Sequence, residues 1–220
     1  MRQLLEALRF LHAELGLMHR NVKRANCLWA DGQLTLIDFE CAVSPSPGAV
    51  FSRVGNNRYR APEVAAAKRQ ATRDGGSLLY RPGCPGWLTP AAPYSFPSDI
   101  FSAGVCFAEL LLRRRRLFAD VDFLEEDYER LRRRLRKWEE REGHLGRGDA
   151  RRIFEPYLGD DLAAELLTPA AADLLARMLC FDPLRRVDAQ EALRHEYFRQ
   201  GFSDAGSRGD EESATAAASS

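Results

Sequence analysis

The sequence lacks most of the features that assign a chain to a class at first sight. It has no CxxC pair, and its five cysteines (Cys27, Cys41, Cys84, Cys106 and Cys180) are scattered and odd in number. Neither a disulfide framework nor a zinc site is expected, and a reducing compartment fits best. It lacks net charge: 32 Lys and Arg balance 32 Asp and Glu, which removes the usual electrostatic reason to expect nucleic-acid or membrane-surface binding. It lacks a long apolar run. The longest, Phe101–Leu112, is well short of the roughly 20 residues that cross a bilayer, and it contains Glu109. Residues 1–15 carry Arg2, Glu6 and Arg9 among the leucines, which is unlike a secretory signal. No internal repeat is visible. What is present is a 220-residue chain, 45% hydrophobic and 29% charged, with enough apolar material for one core. The expected setting is intracellular, either cytoplasmic or nuclear.

Periodicity places several elements. Leu4, Leu8, Leu11 and Leu15 return at helical spacing, and Gly16 follows in the usual terminating position. Two short extended pieces, Cys27–Trp29 and Gln33–Ile37, flank Ala30-Asp31-Gly32, and Asp-Gly between apolar runs predicts a hairpin. Asp38 to Glu63 has no period and reads as a long, functional loop. Residues 64–98 gather Pro82, Pro85, Pro90, Pro93 and Pro97 and read as an irregular, exposed insertion. A nearly all-apolar helix from Asp99 to Leu112 must be buried on most sides. Leu124, Tyr128, Leu131, Leu135 and Trp138 predict a helix over 120–141, acidic at its front and basic at its rear. Further helices fit Pro169–Leu179 and Asp188–Glu196. Residues 203–220 have little to bury and are expected to be disordered.

Four strings carry the chemistry, in this order: His19-Arg20-Asn21-Val22-Lys23-Arg24-Ala25-Asn26, Asp38-Phe39-Glu40, Tyr59-Arg60-Ala61-Pro62-Glu63, and Asp99-Ile100-Phe101-Ser102-Ala103-Gly104. Together they resemble the protein kinase family, in which HRDLKPxN is followed by DFG, APE and DxxSxG. Asp182-Pro183-Leu184-Arg185-Arg186 is similar to the family's closing DPxxR element. Each string alone is weak, but their order and spacing are specific. The resemblance covers roughly residues 1–202 and implies a mainly α fold with short β-hairpins, the C-terminal lobe of the kinase domain. The residues before His19 suffice for one helix, so the small N-terminal lobe that roofs ATP is expected to be missing. Tyr59–Glu63 and the long stretch before Pro169 look most like the cyclin-dependent and casein-kinase-like branch.

The resemblance implies a Mg-ATP site. Phosphoryl transfer leaves the protein mainly to position groups and neutralise charge. Asp38 and Asn26 match the two magnesium ligands, Lys23 the lysine set against the γ-phosphate in Ser/Thr-type members, and Leu28 the leucine beneath the adenine. His19 and Phe39 match members of the apolar column between lobes. Glu63 and Arg186 match a buried ion pair, and Asp99 matches the residue that holds the catalytic loop. Arg20 is the residue through which a phosphorylated loop serine (Ser44, Ser46 or Ser52) would act, although plain loop serines explain the same positions.

Other positions depart from the pattern. Asn21 stands where the family has the aspartate that accepts the substrate proton, and an amide has no useful basicity at neutral pH. Glu40 replaces the DFG glycine and adds a negative charge beside Asp38. Asn56 replaces a threonine that bonds the catalytic pair. Arg113–Arg116 reads as a solvated helix end rather than a nucleic-acid or nuclear-targeting element, and the basic face of the 120–141 helix as solvated surface rather than a dock for an acidic partner. Two functions follow from this pattern. One is a pseudokinase-like module that engages a protein partner. The other is the C-terminal part of an active Ser/Thr protein kinase whose small lobe lies outside this chain.

Overall fold

A computed structural model of the chain describes residues 1–45, 56–64, 95–113, 130–131, 133–138 and 148–200. The leucine stripe near the start does what its spacing predicts. Helix α1, Arg2–Arg9, buries Leu4, Leu5 and Leu8 against the helix Ala189–Leu193 and the strand Gln33–Leu36. Its continuation, Phe10–Glu14, widens to a π-helical turn, which periodicity does not show. This turn carries His12 to the Asp99 carboxylate, 3.0 Å away, and Gly16 then reverses the chain at φ +61°. Strands β1, Cys27–Ala30, and β2, Gln33–Leu36, pair antiparallel with Ala30 opposite Gln33. Asp31 and Gly32 both take positive φ, as a two-residue hairpin requires. The Gln3 side chain ties α1 to this hairpin, donating to the Gly32 carbonyl at 3.0 Å and accepting from the Leu34 N–H at 2.6 Å.

Helix α2, Pro97–Leu111, is the central rod of the core, with Ile100, Phe101, Ala103, Val105 and Phe107 all buried. It starts before Asp99, so the end of the 64–98 segment is helical and not irregular. Pro97 suits the first turn, where its missing N–H has no partner to lose. Residues 65–94 of that segment lie outside the described residues, as do the tail from 203 and most of the 120–141 helix. Residues 133–138 of the latter are helical, and Leu131, Leu135 and Trp138 are buried as predicted. The remaining helices are α3 (Gly148–Phe154), α4 (Asp161–Leu166), α5 (Pro169–Met178), α6 (Ala189–Leu193) and α7 (Tyr197–Gln200). Gly104 lets α2 lie close to α5: a Cβ there would stand 3.1 Å from that of Met178. The predicted Asp188–Glu196 helix forms only as far as Leu193, as α6, and α7 starts beyond its predicted end. It opens with an Asp188–Glu191 capping box and breaks where His195 turns to bond Asp173 of α5 at 2.8 Å.

Two buried ionic contacts fix the parts that matter for the site. Asp99, 1% exposed, accepts from the backbone N–H groups of His19 (2.7 Å) and Arg20 (2.8 Å). Arg20 then takes a left-handed backbone, φ +62°, which redirects the chain toward Asn21. The His19 ring donates from Nε2 to the Ile37 carbonyl at 3.0 Å and accepts the Asn21 N–H at Nδ1, 3.2 Å away. That pattern requires the neutral ring. The second contact is a fork: Arg186 donates to both oxygens of Glu63, at 2.7 and 3.1 Å, and also to the carbonyls of Cys180 and Pro97, each at 2.8 Å.

Removing one partner of such a pair strands the other charge. Arg186→Met is expected to cost about 3–5 kcal/mol in urea denaturation, and the double replacement Glu63→Leu/Arg186→Met less than Arg186→Met alone. His19 gives a pH signature. Burial, outweighing the attraction of Asp99, lowers its pKa, so on acidification the unfolded chain takes up the proton first. Stability is therefore expected to fall as pH drops below about 6.5, the unperturbed histidine value. His19→Gln should flatten the slope of unfolding free energy between neutral pH and the onset of carboxylate titration.

Candidate functional site

The catalytic-loop string descends from the Asp99 clamp and closes on the residue that follows the hairpin. Asn26 ends a tight 3-10 turn, Arg24–Asn26, and is buried. Its backbone carbonyl accepts from Ile37 N–H at 2.9 Å, which brings the end of the hairpin, and thus Asp38, beside the loop. The Asn26 amide nitrogen donates to the Asn21 carbonyl at 2.8 Å and to Asp38 Oδ2 at 3.1 Å. Asn21 donates its own side-chain N–H to the same Oδ2 at 2.7 Å, and Lys23 Nζ stands 4.0 Å from it. The four residues singled out from sequence at 21, 23, 26 and 38 therefore converge on one carboxylate oxygen. Asp38 takes a left-handed backbone, φ +68°, which aspartate tolerates better than most residues.

Around this centre the segment after Asp38 is stitched back to the loop. Met18 and Val43 exchange backbone hydrogen bonds at 2.8 and 3.0 Å, and Arg20 Nε donates to the Cys41 carbonyl at 2.7 Å. The Phe39 ring stacks obliquely on His19, with centroids 4.8 Å apart. Leu28 and Phe39 remain about half exposed, at 51% and 48%, so this face presents apolar side chains. Glu40 and Ser44 are exposed too, whereas Ser46 and Ser52 lie outside the described residues.

A groove of about 340 Å³, including its open mouth, runs beside Asn21 between the loop and the Tyr59–Glu63 string, with Val22, Tyr59, Arg60, Ala61 and Val64 along it. Tyr59 is pinned at both ends. Its carbonyl accepts from Ser102 Oγ at 2.6 Å, and its hydroxyl donates to Glu109 Oε2 at 2.8 Å. Burial and the Glu109 carboxylate together push the Tyr59 phenol far above its ordinary pKa, so it stays a donor. Asn56 does not join Asn21 and Lys23; its side chain accepts from Arg58 N–H and caps the turn Asn57–Tyr59. Sequence reasoning missed the parts played by Glu109 and His12. The signal for Glu109 was available: it is the one acid in the apolar run Phe101–Leu112, and it is 3% exposed. Arg113, the first of the arginine run, is exposed and paired with Asp160 at 2.6 Å, while 114–116 lie outside the described residues.

Among the described residues, Cys27, Cys41, Cys106 and Cys180 form no disulfide, and burial raises the pKa of Cys27 and Cys106, which favours the neutral thiol in both. Cys84 lies outside the described residues. No described helix is long and apolar enough to cross a membrane. Asp38 and Asn26 carry the hard oxygen ligands that magnesium takes. Their arrangement does not suit the ion equally well, because Asp38 Oδ2 already accepts two amide N–H groups.

Comparison with known proteins agrees with the geometry. The protein kinase domain model matches residues 1–198. "Cyclin-dependent kinase D-1" of Oryza sativa subsp. indica is 32% identical over 210 residues, 90% of this chain and 42% of the relative. The Arabidopsis thaliana protein of that name is 29% identical over 211 residues, 90% of this chain and 45% of the relative. "Cyclin-dependent kinase 20" of Mus musculus is 31% identical over 205 residues, 90% of this chain and 52% of the relative. The chain thus spans about half the length of the curated relatives it matches. The family model covers the clamp, the converging loop residues and the Glu63–Arg186 fork alike, and the chain belongs to the protein kinase domain family.

Proposed function

We propose that the chain is a pseudokinase-like C-terminal lobe of Ser/Thr type, which offers a weak nucleotide floor and presents the Tyr59 groove to a partner protein. One observation carries this reading: the 2.7 Å bond in which Asn21 donates to Asp38. A general base must offer a basic lone pair to the substrate hydroxyl. Asn21 has no such basicity, and its N–H is turned toward Asp38. Lacking the base costs a factor of about 10²–10⁴, or about 3–5 kcal/mol of barrier.

The remaining roles follow the same reading. Magnesium and ATP, when bound, would bring the phosphoryl group and its charge screening. Asp38, Asn26 and Leu28 are the residues proposed to meet them, with Lys23 facing the terminal phosphate. His19, Arg20, Phe39, Glu63, Asp99 and Arg186 are scaffold: they hold the loop, the groove and the exposed apolar face in place. The relatives support the cyclin-dependent branch. A second reading is the C-terminal part of an active Ser/Thr kinase, favoured by the half-length coverage and by the exposure of Leu28 and Phe39. In that case a small lobe encoded elsewhere would cover the apolar face, and the Asn21 lesion would still act on the same transition state.

Labelled γ-phosphate transfer to a generic protein substrate tests the first reading. The full chain is expected to transfer no more label than its Asp38→Ala variant. Substantial wild-type transfer that Asp38→Ala abolishes would overturn the pseudokinase reading.

A further inference from the structure

The Asp38 contacts have an unusual sign. A carboxylate at position 21 in this geometry would face a second carboxylate, and two such groups in contact repel unless a shared proton or a cation lies between them. Here the contact at 2.7 Å is attractive without any ion, because Asn21 keeps the shape of an aspartate but presents an N–H donor. The orientation of the neighbouring Asn26 amide is fixed independently. Its Nδ2 lies 2.8 Å from the Asn21 backbone carbonyl, which can only accept, so the nitrogen must be on that side. The same Nδ2 reaches Asp38 Oδ2, closing a small ring of Asn21, Asn26 and Asp38, with the Lys23 ammonium 4.0 Å from the shared oxygen. Asp38 keeps a side-chain exposure of 31%, so solvent and ions can reach it.

We infer that Asn21 is a positioning residue that stands in for a divalent cation: it satisfies Asp38 internally, so the loop and the hairpin end are held together without metal. Restoring a carboxylate at position 21 makes the same site depend on a divalent ion. This inference rests on the reading of Asp38 as the metal-facing carboxylate. It extends that reading by making the wild-type site metal-independent.

The test is thermal unfolding of the full chain, Asn21→Asp and Asn21→Ala in EDTA and in millimolar magnesium chloride, with manganese binding followed by electron paramagnetic resonance. The wild-type Tm is expected to be the same in both buffers. Asn21→Asp should lose about 4 °C or more in EDTA and regain most of it with magnesium. Asn21→Ala should also lose stability but regain nothing, which separates the exchange of amide for cation from a simple loss of packing. Manganese should bind Asn21→Asp about tenfold or more tightly than wild type. An Asn21→Asp Tm equal to wild type in EDTA, or a wild-type Tm that magnesium raises as much as the variant's, overturns the inference alone. If Asn21→Asp falls in EDTA, magnesium restores nothing and manganese binds neither protein, the metal-facing reading of Asp38 fails as well. Should Asn21→Asp not fold, tight manganese binding by wild type is still enough to overturn the inference.

Discussion

Asp99 is where the apolar core is converted into polar geometry. Helix α2 is held by its buried side chains and by the close approach that Gly104 permits to α5, and it carries one carboxylate at the start of that rigid rod. Three donors meet it: the N–H groups of His19 and Arg20 and the ring of His12. Hydrogen bonds to a charged acceptor are stronger than neutral ones, and these offset the roughly 1–2 kcal/mol that a left-handed non-glycine residue costs at Arg20. Once those two amides are fixed, the direction of Asn21 and the turn through Asn26 follow, and Asn26 in turn receives Ile37 from the hairpin. The position of Asp38 is thus inherited from a helix it does not touch through any described bond.

The molecule treats its charged groups in different ways. The Glu63–Arg186 pair is almost wholly dry, with side-chain exposures of 8% and 0%, and every donor that Arg186 uses has a named acceptor. Glu109 is equally buried but leans on a neutral phenol, the Tyr59 hydroxyl, with Arg24 3.8 Å away at the surface. Asp173 follows a third course. Burial works against its charge, yet the bonds from His195 and Arg177 outweigh it and hold the carboxyl below its usual pKa. Each arrangement joins segments far apart in sequence, so the polar contacts select which helices meet, and the apolar burial supplies the cohesion.

How much of this was legible in the sequence depended on whether the signal was local. The Asp31-Gly32 turn, the leucine stripe of α1, the apolar rod and the helix from Pro169 all carry short-range signatures, and they stand within a residue or two of where those signatures put them. Helices α3 and α4 escaped notice because six or seven residues are too few to display a period. The π turn at Phe10–Glu14 and the break at His195 depend on Asp99 and Asp173, partners that lie elsewhere in the chain. At the site, the resemblance to the protein kinase family marked Asn21, Lys23, Asn26 and Asp38 as a group. They did not reveal that both amides would direct N–H hydrogens to the same oxygen, because that depends on side-chain orientation. Asn56 was read as part of the catalytic hydrogen-bond set through its place in the motif, whereas its short side chain is used to cap its own turn.

The substitution at position 21 is nearly isosteric, yet it moves stability and chemistry in opposite directions. Two full charges 2.7 Å apart would repel by about 6 kcal/mol at an effective dielectric constant of about 20, and by less here, because Asp38 is partly exposed and solvent screens it. A hydrogen bond from a neutral donor to a charged acceptor instead contributes about 1.5–3 kcal/mol. Replacing an oxygen by an NH2 group thus changes the sign of the contact, with a swing of several kcal/mol. That is similar in size to the roughly 3–5 kcal/mol of barrier that a general base removes. A site that must transfer phosphate has reason to tolerate the repulsion, since the cation that relieves it also serves the reaction. A site that must only hold its shape gains from the amide, and that is the arrangement we propose for Asn21 and Asp38.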